Sequence, residues 1–526
     1  MATTIGQVKI QPMQINPQSA AHGLPPSQWL LQRRWPLLAL AIWLLATLGF
    51  RPLMLPDEGR YAEVAREMLL GDGWLPTLYG QPFFHKPPLM YWLDLAAMKV
   101  FGINVFAARF APALGAWLMG AALHADVYRR HGARAAAIAL GVLATCPFYF
   151  FGAQYANHDM LVAGLATVAI LCARRSVDEP RHADLRWVFA AWSAMAFAVL
   201  AKGLIGVVLP ALVIGPWLLW QGRWRALPRL MHPLAMLAFA VIALPWFIAM
   251  QWRFPQFFDY FIVEQHFRRF AESGFNNAEP FWFFAAVVPL LTLPWSLWLP
   301  SVLRKRQAPG APTPTSAPAT SRAEVGLYAW WIVAILGFFS LPNSKLVGYA
   351  LPALAPLVAL LALHSRLGRA FRWVMPAAAC SCLALLLVCT LKARGSHRDI
   401  GLALGAQMKP GDRVVFVNEP YFDVPFHAGL KQPPFLLSDW LDPTIVRDDT
   451  WRKAMHDTAR FDPRGAAERL LPAARVAALL CESGTVWFVA GRGWQAPVSF
   501  GELTNVFQGA TDNLLRSAGA ARTHCE

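Results

Sequence analysis

WPLLALAIWLLATLGF, residues 35–50, is an unbroken apolar stretch, and LPDEGRYAEVAREMLLGDG, residues 55–73, crowds carboxylates and arginines directly behind it. The first stretch approaches the length that crosses a bilayer, about 20 residues, and the second cannot enter hydrocarbon. The chain therefore enters a membrane once and re-emerges within a few residues. In the second stretch Tyr61, Val64, Met68 and Leu69 share one face of a helix, and Arg60, Glu63, Arg66 and Glu67 the other. Gly71 and Gly73 stop that helix, and Asp57, after Pro56, stands where a helix N-cap is expected. A second helix is expected over LMYWLDLAAMKVFG, residues 89–102, with prolines before it and Gly102 at its end. Two juxtamembrane helices on the outer membrane surface are the expected structure of residues 53–105.

The rest of the chain repeats the first apolar stretch. The 526 residues are 56% hydrophobic and 15% charged, against roughly 25% charged in soluble domains. About eleven apolar segments qualify as candidate spans, some short, including 106–123, 135–151, 281–299 and 346–363. The net charge of +16 is not a nucleic-acid footprint, because arginine and lysine gather in alternate short loops at 129–134, 174–186, 223–229, 304–306 and 366–372. That is the positive-inside pattern, which assigns those loops and the tail 1–34 to the cytoplasm. Residues 35–391 form the expected membrane body, with 53–105 its first outer loop and the first span read as a retained signal anchor.

Two regions interrupt the hydropathy. The run APGAPTPTSAPATS within 307–322 is expected to be a flexible cytoplasmic linker. Residues 392–526 read as a small outward α/β domain, with strands at 414–417 and 486–489 and a helix over 465–480 between them. Cys481 and Cys525 share that outward domain, so a bridge between them is open to oxidation. The other five cysteines lie in apolar segments and read as small buried hydrophobes.

Ionisable residues collect at the outer membrane boundary: Asp57, Glu58, Lys86 in FHKPP, Asp159 in Asn157-His158-Asp159, Lys202 in AKG, Arg268 and Arg269 in EQHFRRF, and Lys345 in SKLVGY. Singly, each has a structural explanation: the carboxylates can cap helices, the cations can snorkel or meet headgroups. Together, two carboxylates facing several cations suit a phosphorylated amphiphile and a reacting partner, since cations offset charge on a phosphate leaving group and a carboxylate can orient or deprotonate the attacking group. No glycine-rich phosphate loop or nucleotide fingerprint is visible, so no nucleotide cofactor is expected.

At these residues the chain resembles a known family. LPDEGRYAEVAREMLLGDGWLPTLYGQPFFHKPPLMYWL (55–93), with FGINVFAARF (101–110), Asn157 to Asp159, VEQHFRRF (263–270) and SKLVGYALP (344–352), is similar to the aminoarabinose transferases among polyprenyl-phosphate-dependent glycosyltransferases, relatives of protein O-mannosyltransferases. The resemblance implies a polytopic α-helical membrane protein of GT-C type with roughly 11–13 spans. It implies a polyprenyl-phosphate-linked sugar donor and a lipid A acceptor, in contact with membrane lipids and no nucleic acid. By motif position, Asp57 matches the catalytic aspartate and Asp159 the second loop carboxylate. Lys86 matches the lysine that holds the carrier phosphate, Arg269 and Tyr349 fall near the same phosphate, and Glu58, Lys202, Arg268 and Lys345 complete the candidate set. Many members carry glutamate where this chain has His85; with His266 in the other large outer loop, either a zinc ion pins the loops or the two histidines are unrelated. Transfer to a protein hydroxyl or another glycan, and a lipid-sugar flippase, are the rival readings.

Overall fold

The computed structural model describes residues 26–178, 184–268, 277–304, 322–364, 371–392, 395–482 and 484–517. Helix α1 (Pro26–Leu45) carries the first apolar stretch. The first outer loop folds as α2 (Asp57–Leu70), a two-stranded ribbon of β1 (Thr77–Leu78) and β2 (Gln81–Pro82), and α3 (Leu89–Phe101). Both helices keep the expected punctuation: Pro56 and Pro88 precede them, Gly71 and Gly102 follow them, and Gly102 takes a left-handed φ of 79°.

The membrane body continues through α4 (Phe110–Ala144), α5 (Pro147–Ala153), α6 (His158–Ser176), α7 (Leu185–Lys202), α8 (Ile205–Trp220), α9 (Ala226–Leu230) and α10 (Pro233–Arg253). Helices Phe283–Leu291, Arg322–Ser340, Leu354–His364 and Phe371–Leu391 follow. Among the described residues four helices are long and apolar enough to cross a membrane, or up to six if each bent pair is one span. The difference from eleven apolar segments has local causes. Residues 281–299 break near Pro294 into two helices bent by 106°. Residues 346–363 begin as a 3-10 turn, Val347–Ala353, which contains Pro352. The loop expected at 129–134 is instead a break inside α4, where Gly132 has φ 82°.

Close packing of α4 on α6 depends on two glycines. A Cβ on Gly164 would lie 2.0 Å from the Gly115 carbonyl oxygen, so the backbones touch where any side chain would separate them. This contact brings the start of α6, and with it Asp159, against the start of α4.

The C-terminal domain is a six-stranded mixed sheet in the order β5-β4-β3-β6-β8-β7, built from β3 (Arg413–Val417), β4 (Phe435–Leu437), β5 (Leu470–Leu471), β6 (Val486–Gly491), β7 (Leu503–Gln508) and β8 (Asp512–Ser517). Strand β3 pairs parallel with β4 and β6, whereas β8 runs antiparallel to β6 and β7. Alternation puts Val414 and Phe416 in the same core as α2 and α3, and Val415 and Val417 in a separate core beneath Val476. The helix expected over 465–480 is instead two helices, Pro463–Arg469 and Ala473–Glu482, separated by β5; Pro472 lies at the break. Cys481 is disulfide-bonded, while Cys525 and residues 307–321 of the expected linker lie outside the described residues.

The charged face of α2 is enclosed: Glu63, Arg66 and Glu67 are all buried. Arg66 donates to the Leu430 carbonyl of the C-terminal domain and pairs with Glu63 at 2.6 Å, and Glu67 accepts from the amides of Tyr79 at 2.7 Å and Gly80 at 3.0 Å. The helix packs on α3 and on the two-stranded ribbon, and the C-terminal domain covers it through Val424–Ala428 and Leu430.

Candidate active site

Glu58 organises the site without facing it. Its carboxylate is fully buried and accepts from Arg51 at 2.5 Å, from Arg109 at 2.8 and 3.0 Å, and from the amides of Met54 at 2.7 Å and Ala156 at 2.9 Å. Burial alone would raise its pKa; the guanidiniums of Arg109 and Arg51 outweigh burial and hold it at about 2. Arg109 also donates to the carbonyls of Leu48, Arg51 and Pro52, and Arg51 to that of Gln154. The expectation that Glu58 contacts substrate is therefore corrected: its acceptors are spent joining the end of the first span, α2, the start of α4 and the loop before α6.

With Glu58 held inward, Asp57 turns the other way. Asp57 is the first residue of α2, not its cap; the cap position is Pro56, which makes no side-chain bond. The Asp57 carboxylate is partly exposed and accepts from Arg60 at 2.5 Å. Arg60 lies over the rings of Tyr61, at 5.1 Å, and Phe422, at 5.8 Å. Tyr61 and Tyr91 pack edge-on against His158, and Arg60, Lys86 and Lys202 lie within electrostatic reach of that imidazole.

Asp159 sits one residue further along α6. Asn157 caps α6 by accepting from the Asp159 amide, which leaves the Asp159 carboxylate to pair with Lys202 at the end of α7. The Lys202 ammonium lies 4.6 Å from the ring centre of Tyr349. A Cβ on Gly348 would lie 2.1 Å from the Asp159 carboxylate, so only glycine fits beneath this pair. Asp57, Lys86, Asp159, Lys202 and Tyr349 thus form one continuous group, linked through Arg60, Tyr61 and His158.

Other candidates stand apart. Lys345 is buried, and its ammonium donates to the carbonyls of Glu279 at 2.6 Å and Asn343 at 3.4 Å, which makes it a clasp between two outer loops. Arg268 ends a π-helix, Asp259–Arg268, and is exposed. Arg269 and the side chain of His266 lie outside the described residues. His85 stacks on Phe83 at 4.3 Å and comes within 6.0 Å of Tyr260, in the segment that carries His266. Among the described residues no group of three or more His, Cys, Asp and Glu could hold a metal.

Sequence reading missed Arg51, Arg109 and Tyr91. Arg109 had a usable signal, since a charge at the start of an apolar segment needs a buried partner. Its partner Glu58 is 51 positions away, beyond any local pattern.

Comparison with known proteins bears on the fold and the family. Residues 39–261 match the dolichyl-phosphate-mannose-protein mannosyltransferase family. An undecaprenyl phosphate-alpha-4-amino-4-deoxy-L-arabinose arabinosyl transferase of Aeromonas salmonicida (strain A449) is 34% identical over 391 residues, 71% of this chain and 68% of that protein. Undecaprenyl phosphate-alpha-4-amino-4-deoxy-L-arabinose arabinosyl transferase 2 of Pseudomonas fluorescens (strain Pf0-1) is 33% identical over 344 residues, 63% of this chain and 60% of that protein, so the match spans less than two thirds of its length. The crystal structure of ArnT from Cupriavidus metallidurans bound to undecaprenyl phosphate superposes with a TM-score of 0.77 at 23% identity, covering 94% of this chain and 98% of that one. The fold is therefore that of a multi-pass membrane protein of GT-C type with a C-terminal sheet domain, and the chain belongs to the undecaprenyl phosphate-alpha-4-amino-4-deoxy-L-arabinose arabinosyl transferase family.

Proposed function

We propose that this chain is an inverting glycosyltransferase of the bacterial inner membrane, which moves 4-amino-4-deoxy-L-arabinose from undecaprenyl phosphate to a phosphate of lipid A on the periplasmic side. The observation that carries the reading is the group in which Asp57 pairs with Arg60 and Asp159 with Lys202, with Lys86 close by, at the ends of the helices that carry them. The names of the relatives supply the sugar, and the lipid carrier is the one named for the Cupriavidus metallidurans structure.

In this mechanism an oxygen of the acceptor phosphate attacks the anomeric carbon in line, and the bond from that carbon to the carrier phosphate breaks with its electrons passing to the phosphate. Lys86 and Arg269 offset the charge that gathers on the departing carrier. An anionic acceptor needs no strong base, so Asp57 works by orienting it, with Arg60 alongside to offset the added negative charge. Asp159, steadied by Lys202, holds the sugar or the acceptor. Mass spectrometry of lipid A and surface glycans, with and without the protein, tests the reading. Aminoarabinose should appear on lipid A only when the protein is present. Sugar lost instead from a periplasmic protein or another glycan replaces the acceptor, and unchanged profiles remove the proposal.

Zinc is retained as a proposal for the loop junction. His85 and His266 would supply two of its ligands, half of a tetrahedral set, and the ion would pin the outer loops together without entering the reaction. Elemental analysis should find zinc in purified protein and less of it after His85→Ala; zinc content that ignores the substitution rejects the pair.

A further inference from the structure

His158 opens α6 at the outer boundary, between the cap Asn157 and Asp159. It is 2% exposed, and its ring stands edge-on between Tyr61, with centroids 4.7 Å apart, and Tyr91, 5.3 Å apart. Among the described residues neither of its ring nitrogens has a hydrogen-bond partner, nor does the buried hydroxyl of Tyr91. Buried polar atoms in folded proteins are nearly always paired, so three unpaired atoms in one spot, inside the reacting group, mark a place that a polar ligand completes.

The surroundings define which part of a ligand that is. Burial first, and then Lys86, Lys202 and Arg60, keep the His158 imidazole neutral. A neutral imidazole offers one donor and one acceptor. A phosphate oxygen only accepts, and Lys86 already offers it a charged donor. A sugar hydroxyl both donates and accepts, which matches the imidazole and the Tyr91 hydroxyl together.

We infer that His158 and the hydroxyl of Tyr91 hydrogen-bond the glycosyl group of the lipid-linked donor, next to the cations that take its phosphate, and so distinguish a sugar-bearing carrier from a bare one. This rests on the donor class proposed above and assigns to named side chains the recognition of the sugar itself.

The test compares binding of undecaprenyl phosphate, with and without 4-amino-4-deoxy-L-arabinose, to the full-length protein in lipid nanodiscs. H158F keeps a ring between Tyr61 and Tyr91 and removes both nitrogens. It should weaken the sugar-bearing carrier by about 10- to 100-fold and leave the bare carrier within about twofold of wild type. Equal weakening of both carriers, or no change in either, overturns the inference. Should H158F not fold, Y91F decides: it deletes one oxygen, and the affinity gained from the sugar should drop several-fold with bare-carrier binding intact, whereas an unchanged gain overturns the assignment. Because the readout is binding, failure of the proposed reaction is separable. Wild-type protein that binds the sugar-bearing carrier better yet leaves lipid A unmodified sinks the acceptor assignment alone, and wild-type protein that binds both carriers equally sinks this inference.

Discussion

The Asp57 carboxylate keeps about 30% of its side-chain surface in solvent and has Arg60 as its ion-pair partner, whereas the Glu58 carboxylate next to it is enclosed by Arg51 and Arg109. The two positions should therefore fail in opposite ways. Asp57→Asn removes a partly exposed ion pair, worth less than about 1 kcal/mol, and disturbs no cap, so melting should stay near wild type. Transfer should fall on the order of 10²-fold or more, because the charge that orients the acceptor is gone. Wild-type rates in purified Asp57→Asn protein with a radiolabelled or mass-tagged donor would reduce Asp57 to a surface charge. Glu58→Gln leaves two buried guanidiniums without their counter-charge, a loss of roughly 3–5 kcal/mol. It should cost monodisperse protein before any assay of rate, and a variant that extracts and melts like wild type contradicts the role given to Glu58. From sequence nothing tells which of these two adjacent carboxylates is enclosed. What separates them is Arg109, and the pairing exists only once the start of α4 has been folded against α2.

At the scale of elements, periodicity in α2 correctly groups Tyr61, Val64 and Met68 on one face and Glu63, Arg66 and Glu67 on the other, and it cannot say what covers each face. The charged face is covered by a domain that begins more than 300 residues later, whose carbonyl at Leu430 lies 364 positions from Arg66. Hydropathy has the same limit in the membrane body. It counts apolar segments, but a proline or glycine at the right depth turns one segment into two short helices, as at 281–299. Helix contacts are less legible still, since Gly115 and Gly164 carry no local signal of their meeting. Their contact yields a prediction. Gly164→Ala puts a methyl 2.0 Å from a backbone oxygen on a neighbouring helix, and neither backbone can yield locally. The overpacking should cost roughly 1–3 kcal/mol, measured as a lowered melting temperature in detergent, and transfer should suffer with it because α6 carries Asp159. Gly215→Ala, where a Cβ meets nothing within 4 Å, is the control that should melt as wild type. Equal melting of the two variants refutes the close-contact argument.

Across the whole molecule, the C-terminal domain is clamped to the outer loop, and the clamp contains a titrating group. His397 places Nδ1 3.0 Å from Asp423 and Nε2 3.3 Å from Asp512 at the start of β8, with Tyr421 edge-on at 4.9 Å and its hydroxyl donating to Asp512 at 2.9 Å. Glu419 is the further charged group in range. Residues 418–423 then lean on the first outer loop: Tyr79 donates to the Pro420 carbonyl, and a Cβ on Gly59 would lie 3.1 Å from the Asp423 amide nitrogen. Protonation of His397 is thus tied to the seating of the domain against the helix that begins with Asp57. Burial opposes that protonation, but Asp423 and Asp512 outweigh it and raise the pKa from 6.5 to about 9. A group whose folded pKa is raised adds stability that is complete below its unfolded value and is lost as pH climbs through the folded one. The window is therefore about pH 6.5 to 9, and the loss across it about 3 kcal/mol. Hydrogen exchange in Arg413–Val417 and Val424–Ala428 should report it as a local opening free energy that is level below pH 6.5 and falls toward pH 9 and above. His397→Gln should lower that energy at neutral pH and flatten its dependence, since glutamine cannot carry the proton. A wild-type profile level from pH 6 to 10 would falsify the clamp, and a slope that survives His397→Gln would assign the titration to another group.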